Sequence, residues 1–446
     1  MAVQPLDAGV DLAALARHFP ERYPHLLESA LIGQAPARYS ILFAFPGRSL
    51  DTAAGDDILR ALDQDLSSGG ELEGDDARYR HLPFFGGWFL YVGYEFAWTL
   101  EPALGECRQD PWLPAARLTW FPAAVIRDHH EGATYLVSEG PLEPYRERLA
   151  ADLEALGGAS AGDDLPLEGL QLEEEEPRLY TDAVRRALEY IRAGDTFQVN
   201  LSREWRGHTP DALDPGSLYA RLRRANPAPF AAWLQFPEGH VISSSPERLV
   251  SVEDGEIETR PIAGTRRRDG DEEKDQLLFS ELRDNLKERA EHVMLVDLER
   301  NDVGRVARTG SVRVAELMTV ESYRRVHHIV SSIVGQLRPG TTGADILRAV
   351  FPGGTITGCP KIRSMQIIQE LERHAPRGAY TGSCGYISRH GRMDTNILIR
   401  TLVVRGDELR FRAGAGIVVD SDPERELAET RHKAHGLLDA LTGEGA

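Results

Sequence analysis

The stretch Tyr386-Ile387-Ser388-Arg389-His390-Gly391 decides the fold class. An apolar, β-prone run stops at a short Arg-His-Gly turn, the pattern of a strand that folds back on a neighbour. Residues 396–404 and 409–413 continue in the same manner, and 196–202, 241–247 and 326–337 carry further strand patterns upstream. Helical patterns cover 180–193, ended by Gly194, then 272–299 with a turn at Arg300-Asn301-Asp302, then 365–374 and 423–442. The strands outnumber what a βαβ array uses, and short turns join several of them. The expectation is an α+β fold with two large, mostly antiparallel sheets flanked by helices.

The N-terminal part mixes shorter patterns. Residues 39–47 read as a strand ended by a turn, and 84–94 as a Gly-interrupted strand pair. Residues 63–78 are acidic and rich in Gly and Ser, and are expected to form a loop. Between 157 and 177 the chain runs from Gly-Gly-Ala-Ser-Ala-Gly to four consecutive glutamates, Glu173 to Glu176. The expected division is therefore an N-terminal region at 1–160, an acidic linker or crossing at 161–178, and a main domain at 179–446. No internal repeat is evident.

The 446 residues are 41% hydrophobic and 27% charged, ordinary for a globular protein with a large core. The formal net charge of -19 argues against nucleic acid or an anionic membrane as partner. An anionic substrate would need a local cationic site. The lysines are Lys274, Lys287, Lys361 and Lys433, all in the C-terminal half. Cys107, Cys359 and Cys384 are scattered, with no CxxC pair, so a disulfide framework is not expected and a reducing cytoplasm fits. No basic leader with an apolar core opens the chain, and no apolar run approaches the roughly 20 residues of a membrane span.

Two helical stretches pair carboxylates at i and i+3. The first is Lys287-Glu288-Arg289-Ala290-Glu291-His292; the second, Glu426-Leu427-Ala428-Glu429-Thr430-Arg431-His432-Lys433, adds a lysine at i+4 from Glu429. Such residues share a helix face. Two such faces meeting would offer oxygen ligands to a hard cation such as Mg²⁺. Taken alone, each is a solvated face, and Glu429 with Lys433 an ordinary surface ion pair.

These stretches sit among other motifs: Arg260-Pro261-Ile262-Ala263-Gly264-Thr265-Arg266, Asp297-Leu298-Glu299-Arg300-Asn301-Asp302, residues Phe351 to Lys361 (FPGGTITGCPK), and Arg412-Ala413-Gly414-Ala415-Gly416-Ile417. In order and spacing, residues 180–440 resemble the chorismate-utilising enzymes: the anthranilate synthase and aminodeoxychorismate synthase large components, isochorismate synthase and salicylate synthase. Leu26-Leu27-Glu28-Ser29 is a weaker match to the family's N-terminal region, where relatives hold a tryptophan pocket. The resemblance implies a fold, a substrate and a site. Glu291 and Glu429 would hold Mg²⁺, with Glu288 and Glu426 in support through waters, and the metal would bind the ring carboxylate as a hydroxyl leaves. Tyr380, Arg400, Lys433 and the backbone N–H groups of Gly414, Ala415 and Gly416 would bind the remaining negative charge. Glu247 would be the general acid, working best if burial raises its pKa. His328 would contact the ring, and Thr265 and Thr355 its hydroxyl or carboxylate.

Gln198 discriminates within the family. The isochorismate and salicylate synthases carry a water-activating lysine at the matching position; glutamine cannot act as a base, and the ammonia-using members carry it. Gln198-Val199-Asn200-Leu201, Asn226-Pro227-Ala228-Pro229-Phe230 and Gly353-Gly354-Thr355-Ile356-Thr357-Gly358 are more similar to aminodeoxychorismate synthase component I, as is the chain length. Ala263 points the other way, to anthranilate synthase, because many aminodeoxychorismate synthases have a nucleophilic lysine there. The expectation is an aminodeoxychorismate synthase, a transaminase-class enzyme, with anthranilate synthase as the alternative. The chain has no Gly-x-Cys-x-Gly elbow with a downstream His-x-Glu. The resemblance therefore implies ammonia from a separate glutamine amidotransferase subunit.

Overall fold

The computed structural model describes residues 1–7, 9–29, 38–64, 66, 78–159, 167–268, 271–322 and 326–443, without the side chains of residues 263, 265–267, 283, 286–288 and 326. Two large sheets dominate, and all their described strand pairs are antiparallel. The first, of 12 strands, runs from Ala2–Leu6 at one edge through Phe230–Phe236, Gly239–Ser245, Thr401–Arg405 and Glu408–Ile417 to Gln198–His208 and Gly358–Cys359. The second, of 10 strands, runs from Ile262–Arg267 and Val326–Gln336 through Glu256–Thr259, Arg248–Glu253, Met393–Asn396 and Ser383–Ser388 to Gly87–Val92 and Ser49–Asp51. The α+β expectation with two large antiparallel sheets holds.

The sheets face each other across an aromatic core, where Phe43 and Phe84 meet Phe89 and Tyr386. Helices cover the outer faces. Pro177–Ala193 starts with proline in its first turn and stops at Gly194, which takes the left-handed conformation at φ 85. Pro423–Thr442 is capped by Asp422, whose side chain accepts from the Arg425 N–H, and ends at Gly443, φ 79. It packs on Pro177–Ala193, Pro215–Ala225 and Glu408–Ile417.

The chain departs from the sequence reading at several points. The helix expected over 272–299 is two helices, Glu272–Asp284 and Leu286–Gly304, parted by Asn285 in extended backbone. The second continues through Arg300-Asn301-Asp302, where a turn was expected. The strand pair expected at 84–94 is one strand, Gly87–Val92, followed by a 3-10 turn. Most of the loop expected at 63–78 lies outside the described residues. Within the acidic crossing, Gln171–Glu174 is a strand beside Gln198–His208. Both sheets take strands from each side of residue 161, so the sequence boundary does not divide the sandwich.

Candidate active site

Two crossings between the sheets build the site. Gly239–Ser245 ends in the first sheet, and after Pro246 and Glu247 the chain enters the second as Arg248–Glu253. It returns between Met393–Asn396 and Thr401–Arg405. The single strand expected over 396–404 is thus two strands in different sheets. The crossings are stitched together: the Ile397 N–H donates to the Glu247 carbonyl at 3.0 Å, the Ser244 N–H to the Arg400 carbonyl at 3.1 Å, and the Ser245 hydroxyl to the Ile397 carbonyl at 2.5 Å. Arg400 sits at φ 52. A residue in the left-handed region, and not one within a strand, therefore carries this side chain at the crossing.

Glu247 is buried at the first crossing. The Thr355 hydroxyl, in the 3-10 turn Gly354–Ile356, donates to its Oε1 at 2.8 Å. Burial pushes the carboxyl up to about 7, against the pull of Thr355, Lys433, the Ile262 backbone and Arg400. A glutamic acid is thus protonated near neutral pH beside two cationic side chains, the arrangement the general-acid role requires. Arg400 is held below its ordinary value by burial, with Glu247 acting in the opposite direction.

His328 lies buried in Val326–Gln336, opposite Thr265 of Ile262–Arg267. Burial, and then Arg400, push its imidazole down to about 3, so it faces the site uncharged. The backbone of Thr265 is placed by this pairing, but its side chain lies outside the described residues.

The three backbone positions expected to bind the substrate anion lie along one strand. Gly414, Ala415 and Gly416 belong to Glu408–Ile417 and pair with Ser202, Leu201 and Asn200 of Gln198–His208. The strand pattern over 409–413 in fact continues through 417. Thr401–Arg405 covers the other edge only as far as Phe411. Beyond it no strand among the described residues pairs with that edge, and antiparallel geometry turns alternate backbone N–H groups toward it. The glycines leave room for one. A Cβ at Gly414 would lie 2.5 Å from the Leu201 carbonyl and 2.7 Å from the Tyr380 hydroxyl, and one at Gly416 2.6 Å from Gln198 Nε2. Gln198 and Tyr380 therefore lie directly over these glycines. Gln198 and Asn200 are buried, yet the side-chain oxygens of both accept no hydrogen bond. These two open acceptors share one face of Gln198–His208, beside Gly414 and Gly416, where a ligand's donors would fit.

The acids expected at a cation lie on two helices. Glu291 of Leu286–Gly304 and Glu426 of Pro423–Thr442 are partly buried; Glu429 is exposed and pairs with Lys433 at 3.3 Å. The Glu288 side chain lies outside the described residues. Among the described residues, the trio of metal-type ligand atoms within 4.8 Å of one another is His81, Asp128 and Glu131, elsewhere in the fold. Glu291, Glu426 and Glu429 are not drawn into one three-ligand set. As oxygen donors they still fit Mg²⁺, which commonly takes one or two carboxylates and keeps several waters.

Other buried groups support the site without having been singled out in the sequence. Glu372 accepts from the Ser202 N–H and hydroxyl at 2.8 and 2.9 Å and from both Arg377 and Arg412. Arg377 also donates to the Asn200 carbonyl at 2.8 Å, three residues before Tyr380. Lys361 pairs with Asp302 at 2.7 Å, tying FPGGTITGCPK to the helix Leu286–Gly304. Asn200 was legible: alternation puts it on the face of Gln198. Glu372 carried no such signal, because its partners come from distant segments. A separate cavity of about 210 Å³ is lined in part by Glu28, Ser29, Pro229, Phe230, Tyr386 and Asn396, the first two from the N-terminal segment Leu26 to Ser29.

Comparisons with known proteins agree with this geometry. The family model described as chorismate binding enzyme matches residues 30–439. Anthranilate synthase component 1 of Pseudomonas putida is 40% identical over 450 residues, 94% of this chain and 90% of that protein. Aminodeoxychorismate synthase component 1 of Bacillus subtilis is also 40% identical, over 372 residues, 80% of this chain and 77% of that protein. The crystal structure of anthranilate synthase component I from Streptococcus pneumoniae TIGR4 superposes with a TM-score of 0.78 at 34% identity, covering 91% of this chain and 93% of that one. The chain belongs to the chorismate-binding enzyme family.

Proposed function

We propose that this chain is the chorismate-aminating component of an aminodeoxychorismate synthase, using Mg²⁺ and ammonia from a separate glutamine amidotransferase subunit to form 4-amino-4-deoxychorismate. The observation that carries amination is Gln198: a buried amide with an open hydrogen-bonding position lies over Gly416, where water-using relatives place a lysine base. Ammonia needs no base to attack. A C–N bond forms, the ring C–O bond breaks, and the departing oxygen takes the Glu247 proton and leaves as water. The new ammonium group returns a proton to the Glu247 carboxylate. Arg400, Lys433, Tyr380 and the open edge of Glu408–Ile417 hold the substrate carboxylates, and His328 and Thr355 line the ring. Mg²⁺, held by Glu291 and Glu429 with Glu288 and Glu426 behind them, would neutralise the ring carboxylate and draw electron density from the breaking bond.

The segments around Asn200, Pro227 and Gly354 support the aminodeoxychorismate product. Ala263 closes any covalent route through that position, so the C4 amine must arise without a lysine adduct there. Ala263 also favours a second reading, anthranilate synthase component I, and two of the three relatives above carry that name. One assay separates them. Purified protein is given chorismate, Mg²⁺ and ammonium at high pH, with and without an aminodeoxychorismate lyase. A product converted to para-aminobenzoate only when lyase is present supports the first reading; anthranilate formed without lyase establishes the second. No chorismate consumption, even with a glutaminase partner, removes both. A Glu429→Ala variant with undiminished Mg²⁺-dependent turnover would remove the metal assignment.

A further inference from the structure

Glu95 is a buried carboxyl in the N-terminal region, and nothing above uses it. It follows Gly87–Val92, in the 3-10 turn Tyr94–Phe96, and is 4% exposed. Its partners are backbone groups of a distant segment. Oε1 accepts from the Arg377 N–H at 2.7 Å, and Oε2 from the Gly378 N–H at 3.0 Å. The Tyr94 N–H donates to the Gly378 carbonyl at 2.8 Å, and the Arg377 guanidinium lies over the Tyr94 ring, 4.7 Å from its centroid. Gly378, at φ 60, is also packed closely on Asp110: a Cβ there would run into that carboxylate. Tyr94, Glu95 and Asp110 thus hold one short turn.

That turn presents Tyr380. The Tyr380 N–H donates to the Arg377 carbonyl at 3.1 Å, and its hydroxyl lies over Gly414. Two successive N–H groups turned the same way make a concavity for an anion, and Glu95 fills it from within the chain. The Arg377 guanidinium is directed to Glu372, Asn200 and Ile356, so backbone donors are what meet Glu95. A neutral amide would fill the same volume at a smaller desolvation cost. Only a carboxylate accepts from both N–H groups at once, and doing so fixes both peptide groups. We propose that Glu95 is a positioning residue for substrate binding, acting through Tyr380 by fixing the turn that carries it. This rests on the reading of Tyr380 as a substrate contact.

The test measures KM for chorismate and kcat in wild type, Glu95→Gln, Tyr380→Phe and the double variant, on the alkaline side of neutrality. Leu136→Ala, a buried residue beside the edge strand Ala2–Leu6, controls for general loss of stability. Glutamine is nearly isosteric with glutamate, but its NH₂ faces one of the two N–H groups and leaves that donor unanswered. Glu95→Gln should raise KM about tenfold and hold kcat within about twofold, and the double variant should fall short of the product of the single effects. If Tyr380→Phe keeps the wild-type KM, the reading of Tyr380 is wrong and the inference falls with it. If Tyr380→Phe raises KM, four results overturn the Glu95 inference alone: an unchanged KM in Glu95→Gln, a loss confined to kcat, single effects that simply multiply, or an equal rise in Leu136→Ala. Should Glu95→Gln not fold, amide exchange of the wild type decides. Protection of the Arg377 and Gly378 N–H groups equal to that of Gly87–Val92 supports the clamp; exchange at loop rates overturns it.

Discussion

Replacing Glu372 by alanine should lower the melting temperature by about 3–5 °C and weaken chorismate binding more than it slows turnover. The side chains of Glu372, Arg377 and Arg412 are 4%, 1% and 7% exposed. Burial opposes the charge on Glu372, but the two guanidiniums outweigh it and hold the carboxyl below its ordinary range. Without it, two arginines and the Ser202 N–H lose a buried partner. Breaking a buried ion pair from one side costs about 3–5 kcal/mol. With an unfolding entropy of about 2.1 cal/mol/K per residue over 446 residues, each kcal/mol lowers the midpoint by about 1 °C. The functional effect follows from Arg377. It spans the Asn200 carbonyl at 2.8 Å, the Ile356 carbonyl at 3.3 Å and Thr381 at 3.4 Å, and its neighbour Tyr380 lies over Gly414. Loosening it disturbs binding groups on three segments and leaves Glu247 in place. Thermal melts and steady-state kinetics of Glu372→Ala, Arg377→Met and the double variant test this. If stranded charge is the cause, the double variant is more stable than the sum of the singles implies. Strict additivity, or a single-variant loss under about 1 °C, would refute the reasoning.

Other outcomes follow from the same geometry. Gly414→Ala sets a methyl 2.5 Å from the Leu201 carbonyl, which cannot swing aside, so it should cost about 1–3 kcal/mol and raise KM for chorismate; KM and melting temperature within error of wild type would contradict the close approach. Thr355→Val removes the hydroxyl that stabilises ionised Glu247, so the carboxyl should stay protonated to higher pH and the basic limb of kcat should move upward; a downward move would show that the hydroxyl does not favour the ionised form. Glu95, Glu247 and Glu299 stand at about 7, 7 and 8 against an ordinary 4.5, chiefly through burial, so the folded chain holds protons that the unfolded chain releases. Their stabilising contribution is complete below about pH 4.5 and is lost as pH rises toward 8. Melting temperature should therefore fall across pH 4.5–8, less steeply in Glu299→Gln; equal slopes would mean that Glu299 titrates in its ordinary range.

What the sequence made legible was local. The last helix was read from the sequence at 423–442, the bounds it has in the fold, and the strand pattern over 196–202 holds Gln198 and Asn200 two residues apart, on one face. Arg400 shows where locality ends. Ile397-Leu398-Ile399 reads as continuous strand, because an apolar run carries no mark of the point where a chain leaves one sheet for another. The left-handed turn at Arg400 is set by the Ser244 and Glu247 backbones, some 150 residues earlier in the chain. Glu372 was hidden for a related reason: in sequence it is one more acid at the end of a helix, and its partners Ser202, Arg377 and Arg412 come together only in the fold. These non-local placements are also the ones that create the chemistry. A protein of net charge -19 cannot hold a dianionic ring through its average field. On the proposed reading it does so by turning two backbones across the gap between sheets, which buries Glu247, raises its carboxyl to about 7 and sets Arg400 beside it. The cation and the protonated carboxyl depend on the same pair of crossings. A substitution that shifts either crossing, such as Pro246→Gly, should therefore impair substrate binding and proton donation together, whereas losses at the open edge of Glu408–Ile417 should fall on binding alone.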